Sequence, residues 1–417
     1  MATVALRRPS LSAREWGILA LLALSVLINY IDRANLSVGA TNIQAEFGLD
    51  DYRLGILLSA FSWTYAAMQL FGVSGWLVDR LPVSWVYAGG FLLWSGATAW
   101  TGIAGGFASI FALRLMLGIG ESVSYPSYSR ILSNHFPEHR RGFANGIIDA
   151  GSKLGPAVGT LVGGLFMARY GWRAFFLGLG ALSLLWLVPW VKWMPRGEHY
   201  TVKRTPAGAP TSLDILRHPC AWGSFAGLFC SNYFWYFLIA WLPAYLEQER
   251  HFAKPKMAVF GSLAFLAIAL TSLFAGWLSD RWIASGASPT LVRKTFAGAG
   301  LGCATIIVTV AVVQNETLAM ILLMIACISY GAYSPNLWAI TQTLAGPLAS
   351  GKWTGLQNGV GNLAGIAAPW FTGWVVERTG HFYLAFLVAG LVALAGAFAF
   401  VFGIGPIVPR FPEHEAS

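Results

Sequence analysis

The chain of 417 residues is 56% apolar and 11% charged, with a mean hydropathy of +0.60, which excludes an ordinary water-soluble globule carrying about 25% charge. Its net charge of +9 would suit nucleic acid as well as a membrane, so the placement of the basic residues has to decide. Apolar stretches near the roughly 20 residues that cross a ~30 Å hydrocarbon core recur along its whole length, and the fold class expected is an all-α polytopic membrane protein.

In chain order, the predicted spans are 16–40, 54–78, 83–104, 107–132, 143–168 and 174–194, then 220–246, 257–279, 291–313, 317–344, 353–376 and 381–405, twelve in all. The start imitates a secretory leader, with Arg7 and Arg8 ahead of an apolar run from Trp16. That run is too long for a leader and contains Asp32 and Arg33, so an uncleaved first span is expected. Residues 195–219 are rich in Pro, Gly and charge and read as a cytoplasmic linker. They divide the chain into an N-terminal six-helix bundle, 1–194, and a C-terminal one, 220–417, that ends in a short cytoplasmic tail.

With the N-terminus in the cytoplasm, the opposite loops keep only Arg53, Arg169, Arg173, Arg250, Lys254, Lys256 and Arg378, while most of the basic residues fall on the cytoplasmic side. This satisfies the positive-inside rule with both termini cytoplasmic, so the basic balance orients the chain in an inner (plasma) membrane, with lipid and not nucleic acid as its partner. Cys220, Cys230, Cys303 and Cys327 lack the close spacing of a zinc or redox site and read as small packing residues.

The halves repeat. Gly75-Trp76-Leu77-Val78-Asp79-Arg80 closes the second span and Gly276-Trp277-Leu278-Ser279-Asp280-Arg281 closes the eighth. Parallel six-span repeats around a central cavity are how one class of secondary transporter achieves alternating access. A gating role is expected for Asp79, Arg80, Asp280 and Arg281, against the plainer reading of basic residues marking helix ends.

Charge inside a span costs roughly 2.5–3.5 kcal/mol per residue on insertion scales and needs a partner or water. Six such residues stand out: Asp32 and Arg33 in the first span, Arg114 and Glu121 in the fourth, Asp149 and Lys153 in the fifth. All belong to the first half. Arg114 and Glu121 are two turns apart and face nearly the same way. Asp32 and Glu121 suit proton coupling, because a membrane carboxylate can change charge, and Arg33 suits binding a carboxylate with its planar fork of donors. Mutual neutralisation that only fixes packing is the alternative for each, with Arg114 a charge partner. Asp149 and Lys153 have the spacing of a helix-face ion pair. The second half offers amides and aromatics, including Asn232, Tyr233, Trp235 and Tyr236, then Tyr330, Tyr333, Asn336 and Trp338, then Gln357, Asn358 and Asn362, a wall suited to hydroxylated solutes if not simply core or interfacial anchors.

The run Asn29-Tyr30-Ile31-Asp32-Arg33-Ala34-Asn35-Leu36, with Arg114 to Glu121 and Phe136-Pro137-Glu138-His139-Arg140-Arg141-Gly142, resembles the anion:cation symporter family of the major facilitator superfamily. The resemblance implies a major facilitator fold and proton-coupled uptake of a small organic anion, a sugar acid such as an aldonate, aldarate or hexuronate. It implies that Asp32 and Glu121 carry the proton, that Arg33 holds the substrate carboxylate, and that Tyr30, Tyr65 and Asn358 line the site with Trp338 and Gln357 nearby. It also marks a departure: a glutamine of the galactonate carrier's site falls on Ser152, and Lys153 replaces an apolar neighbour. That lysine either meets a second carboxylate or is neutralised by Asp149.

Protons are the coupling ion expected, with no metal or organic cofactor, and a monomer is expected. Other carboxylates and anion export remain open. A membrane-embedded enzyme is the remote alternative, since there is no metal-ligand spacing, Gly-x-Ser-x-Gly turn or phosphate loop and no catalytic residue to name. Arg33 and Arg114 argue against a cation exporter, and the short extramembrane stretches argue against a solute sensor.

Overall fold

The computed structural model describes residues 13–136, 138–194 and 210–411. The linker up to residue 209, the tail 412–417, Pro137 of the third motif and the basic Arg7 and Arg8 lie outside the described residues.

Among the described residues every regular element is a helix. The first span is Ala13–Val38, followed by a short outlying helix, Ala40–Phe47. The second runs Asp51–Leu70 and bends by 60° into Val73–Arg80. The third is Val83–Thr101, and the fourth is Phe107–Ser122 continued by Ser124–His135. Glu138–Leu184 holds the fifth span and the start of the sixth, which ends with Leu187–Trp193. In the second half the seventh and eighth spans are Pro219–Gln248 and Lys254–Ala284. The ninth is Pro289–Ala304 with Ile307–Val312. The tenth and eleventh share Glu316–Asn362 and continue as Ala364–Thr379, and the twelfth, Tyr383–Phe398, runs on through Ala399–Gly403.

Two glycines turn long helical stretches into pairs of spans. Gly171 (φ 80°) separates the fifth from the sixth and Gly346 (φ 64°) the tenth from the eleventh, each in a left-handed conformation that strains any other residue. By length and apolarity eight described stretches can cross a bilayer, or nine with the bent pair. Cutting at these two glycines and including Val83–Thr101 recovers the twelve predicted spans.

Where the halves meet, the first span packs on the seventh, the second on the eleventh and the fifth on the eighth. Between helices in lipid there is little hydrophobic drive, and small residues that let backbones approach supply much of the packing. Gly55 of the second span sits against the Pro369 carbonyl, 2.8 Å from where a Cβ would stand, and against the Gly373 Cα at 3.1 Å. Ser37 Oγ donates to the Ile239 carbonyl at 2.7 Å, tying the first span to the seventh.

One end of this interface is closed by polar contacts across the halves. Thr41 Oγ1 donates to Glu247 at 2.5 Å, Lys254 reaches the same carboxylate at 3.1 Å and the Val38 carbonyl at 3.0 Å, and Gln248 Nε2 donates to Gln44 at 2.8 Å. The Asp51 amide donates to Glu377 at 2.9 Å. The opposite end carries both Gly-Trp-Leu motifs. There Asp79 lies 3.9 Å from Arg130 of its own half, and Arg80 and Arg281 lie over Trp76 and Trp277. Asp280 makes no ion pair among the described residues, so the two copies of the motif differ in their contacts.

Gly55→Leu places a branched side chain into the Pro369 backbone and is expected to cost about 1–3 kcal/mol, read as a lower thermal midpoint of the detergent-purified protein. An unchanged midpoint would mean that the second and eleventh spans do not meet at this point.

Candidate functional site

The four charges of the first and fourth spans come together, all buried: Asp32, Arg33, Arg114 and Glu121. The fourth span reaches the cluster because Gly118 rests on the backbone of Phe61 and the Thr64 hydroxyl, bringing Arg114 and Glu121 against the first and second spans.

Arg33 Nε donates to Glu121 Oε2 at 2.8 Å, with both side chains almost fully removed from solvent. The guanidinium carbon lies 4.7 Å from the Tyr30 ring centre and 4.8 Å from each of Phe61 and Tyr65, so aromatic faces surround the charge. Such faces attract a cation by about 0.5–2 kcal/mol each. Arg33 Nη2 has no hydrogen-bond partner, and neither has Glu121 Oε1. A small cavity is lined by Arg33, with Phe61, Ser62 and Arg114 from the first half and Tyr236, Ile239 and Pro369 from the second. Two cations and no carboxylate face it, which is the electrostatics of an anion site.

Asp32 occupies the far side of Arg114. Its Oδ1 accepts from Thr98 at 3.0 Å and from Asn35 at 3.3 Å, and Oδ2 is without a partner. Arg114 Nη1 donates to the Asp32 backbone carbonyl at 3.4 Å, and no carboxylate lies within ion-pair distance of its guanidinium. Arg114 therefore supports the acids through the field of its charge and one long hydrogen bond.

The remaining predicted residues divide. Tyr30 and Tyr65 face Arg33, and Tyr30 shares a 3.1 Å hydrogen bond with Tyr125. Trp338 is half-buried on the second half, and Asn358 offers its backbone carbonyl to Asn362, whose side chain accepts from Tyr236 at 2.7 Å. Gln357 turns away from the cavity: it donates to the Ser224 carbonyl and accepts from Thr341, so its amide is spent within the second half. Ser152 donates to the Asp149 carbonyl on its own helix. Asp149 is exposed and forms no ion pair with Lys153, so the spacing of four did not produce the pair it permits. Lys153 instead lies 5.4 Å from the Trp235 ring centre, across the join of the halves.

Several contributors escaped sequence reasoning. Thr98 and Phe61 sit in otherwise unremarkable apolar runs and carry no signal of their own. Asn35, by contrast, belongs to the same specific run as Asp32 and Arg33, and its spacing of three from Asp32 was a usable sign. Among the described residues no group of three or more His, Cys, Asp or Glu is placed to hold a metal.

A twelve-span helical fold in two halves is the architecture of one class of membrane transporter. Residues 22–369 match the family model of the Major Facilitator Superfamily, and the chain belongs to that superfamily. It is 32% identical to the probable sulfoacetate transporter SauU of Cupriavidus necator, over 94% of each chain. It is 29% identical to the D-galactonate transporter of Escherichia coli O6:H1, over 94% of this chain and 96% of that one, in keeping with the sugar-acid carriers among which the first motif placed it. A crystal structure of a bacterial homologue of the human lysosomal transporter Spinster, inward-facing and occupied, superposes with a TM-score of 0.77 over 94% of this chain and 97% of that one. At 21% identity it shows the shared fold.

Thr98→Val keeps the shape of the side chain and removes a donor to a buried carboxylate, an expected loss of about 1.5–3 kcal/mol. Chemical unfolding of the purified protein measures it; a cost near zero would place Thr98 outside the support of Asp32.

Proposed function

We propose that the protein takes up a small organic anion together with protons, that Arg33 binds the substrate carboxylate, and that Asp32 and Glu121 carry the coupling. The observation that supports this reading most directly is the divided state of Arg33: one edge is held by Glu121 and another donor is free beside a cavity that two arginines face. A substrate carboxylate arriving beside an ionised Glu121 would place two anions on one cation. At about 4 Å and an effective dielectric constant near 20, their repulsion is on the order of 4 kcal/mol, or roughly a thousand-fold in affinity. Protonation of Glu121 removes the repulsion and releases Arg33, so anion and proton favour each other at the site.

The substrate class that fits is a small carboxylic acid, and the relatives' names extend it from a hydroxylated sugar acid, as for D-galactonate, to a short sulfonated acid, as for sulfoacetate. Tyr236, which lines the cavity and is held by Asn362, is the polar group of the second half that would meet the uncharged body of such a molecule. The ends of the bundle fit the same scheme. With the Gly-Trp-Leu motifs placed in the cytoplasm by their basic residues, the end closed by Thr41, Glu247 and Lys254 is the outer one, and Arg80 and Arg281 lie beside the inner gate. We assign both termini to the cytoplasmic face of the plasma membrane, the lipid of that membrane as surroundings, and a single chain as the working unit.

Glu121→Gln is expected to bind and exchange substrate while losing accumulation driven by a pH gradient, measured in proteoliposomes with a radiolabelled acid; full gradient-driven accumulation would end the coupling role. Arg33→Lys is expected to weaken binding on the order of ten-fold or more, because an ammonium lacks the fork of parallel donors. Unchanged affinity in that variant would remove Arg33 from carboxylate binding.

A further inference from the structure

We propose that Lys153 extends the transport site beyond the cavity at Arg33 and Arg114 and that the preferred substrate is a dianion, its two acidic groups divided between Arg33 and Lys153. This rests on the reading of Arg33 as the carboxylate-binding residue and goes past it to the charge of the substrate.

Lys153 stands on the fifth span, half-buried, with its ammonium 5.4 Å from the ring centre of Trp235 on the seventh span of the other half. It makes no ion pair or hydrogen bond with any described residue, and Asp149, the acid one turn earlier, is exposed and accepts from Ser152 instead. A charged lysine inside a span needs a partner or water. One aromatic face returns only part of the cost of burying it, so the ammonium is left under-compensated.

The neighbouring charges do not make up the difference. Arg33 is matched by Glu121, and Arg114 stands between Asp32 and Glu121, which leaves the cluster neutral before Lys153 is counted. With the exposed Asp149 the six are neutral, and Lys153 is the one cation among them that makes no ion pair or hydrogen bond with a described residue.

Its position is set by the packing of the first and fifth spans. Gly155 rests against the side chain of Tyr30, which places Lys153 two residues before that level and Arg33 three residues beyond it. Five residues of helix rise correspond to roughly 7.5 Å along the axis, a gap that the long lysine and arginine side chains can shorten from both ends. Both side chains meet aromatic residues, Tyr30 for Arg33 and Trp235 for Lys153. Trp235 lies nearly parallel to Tyr330 at 6.2 Å and 9°, and Tyr330 stacks on Phe234 at 5.1 Å, so the wall behind Lys153 is a fixed aromatic stack that directs the ammonium and offers it no counter-charge. A monoanion on Arg33 leaves Lys153 uncompensated. A molecule with an acidic group at each end neutralises both.

The test is binding to the purified full-length protein by isothermal calorimetry, using acids matched in their carbon chain. Galactonate and galactarate share a six-carbon hydroxylated chain and differ by one terminal carboxylate; acetate and sulfoacetate form a short pair. In the wild type the dianion of at least one pair is expected to bind on the order of ten-fold or more tightly than its monoanion, a difference of one charge-assisted contact. Lys153→Gln is expected to lose most of that ratio and Lys153→Arg to retain it, with Lys153→Met replacing the glutamine variant if that one does not fold. A wild-type protein that binds the monoanions as well as the dianions, or a Lys153→Gln protein that keeps the ratio, overturns the proposal and leaves the binding role of Arg33 standing. If Arg33→Lys binds every acid like the wild type, or if no acid of either pair binds, the parent reading falls and this one with it.

Discussion

The buried pair of Arg33 and Glu121, joined at 2.8 Å between the first and fourth spans, is the contact on which the rest of the arrangement depends. Two charges taken out of water are tolerable only when each meets a partner, and removing one partner from such a pair commonly costs 3–5 kcal/mol because the other is stranded. The aromatic rings of Tyr30, Phe61 and Tyr65 cover the arginine without taking its donors. The pair is thus held firmly enough to fold and loosely enough to open toward an anion.

The contacts between the halves have the complementary property. Glycine meets backbone between the second and eleventh spans, and a few hydrogen bonds, Thr41 to Glu247, Lys254 to the Val38 carbonyl and Gln248 to Gln44, close the end marked by Thr41. Interfaces of this kind are close but small in energy per contact, since a single hydrogen bond contributes a net of about 0.5–1.5 kcal/mol. Within the first half, by contrast, Tyr87, Phe91, Trp94, Trp186 and Trp190 form a continuous aromatic core, with Phe91 stacked on Trp186 at 4.2 Å. Rigid halves with a lightly bonded join are what movement of one half against the other requires.

Much of this was legible in the sequence because a membrane makes charge rare. Asp32, Arg33, Arg114 and Glu121 stood out from apolar runs, and the structure gathers all four. The twelve spans followed from hydropathy, although two pairs of them run on through Gly171 and Gly346 as single helical stretches. What could not be read was direction. Gln357 belongs to the amide-rich wall by composition yet spends its amide on Ser224 and Thr341, and Asp149 has the spacing to pair with Lys153 yet forms no ion pair with it. Rotation about a helix axis decides such cases, and in a span that is apolar all round no amphipathic stripe records it. Thr98 and Phe61 were invisible for a related reason: their roles are defined by residues on other helices.

The central claim is that the anion takes Arg33 and a proton takes Glu121, so that binding of either at this buried ion pair favours the other. Titrating the unbuffered, purified protein with substrate in the presence of a pH indicator tests it most directly. The account predicts net proton uptake as substrate binds near neutral pH, lost when Glu121 is replaced by Gln. Substrate binding with no proton uptake across the pH range of transport would contradict it.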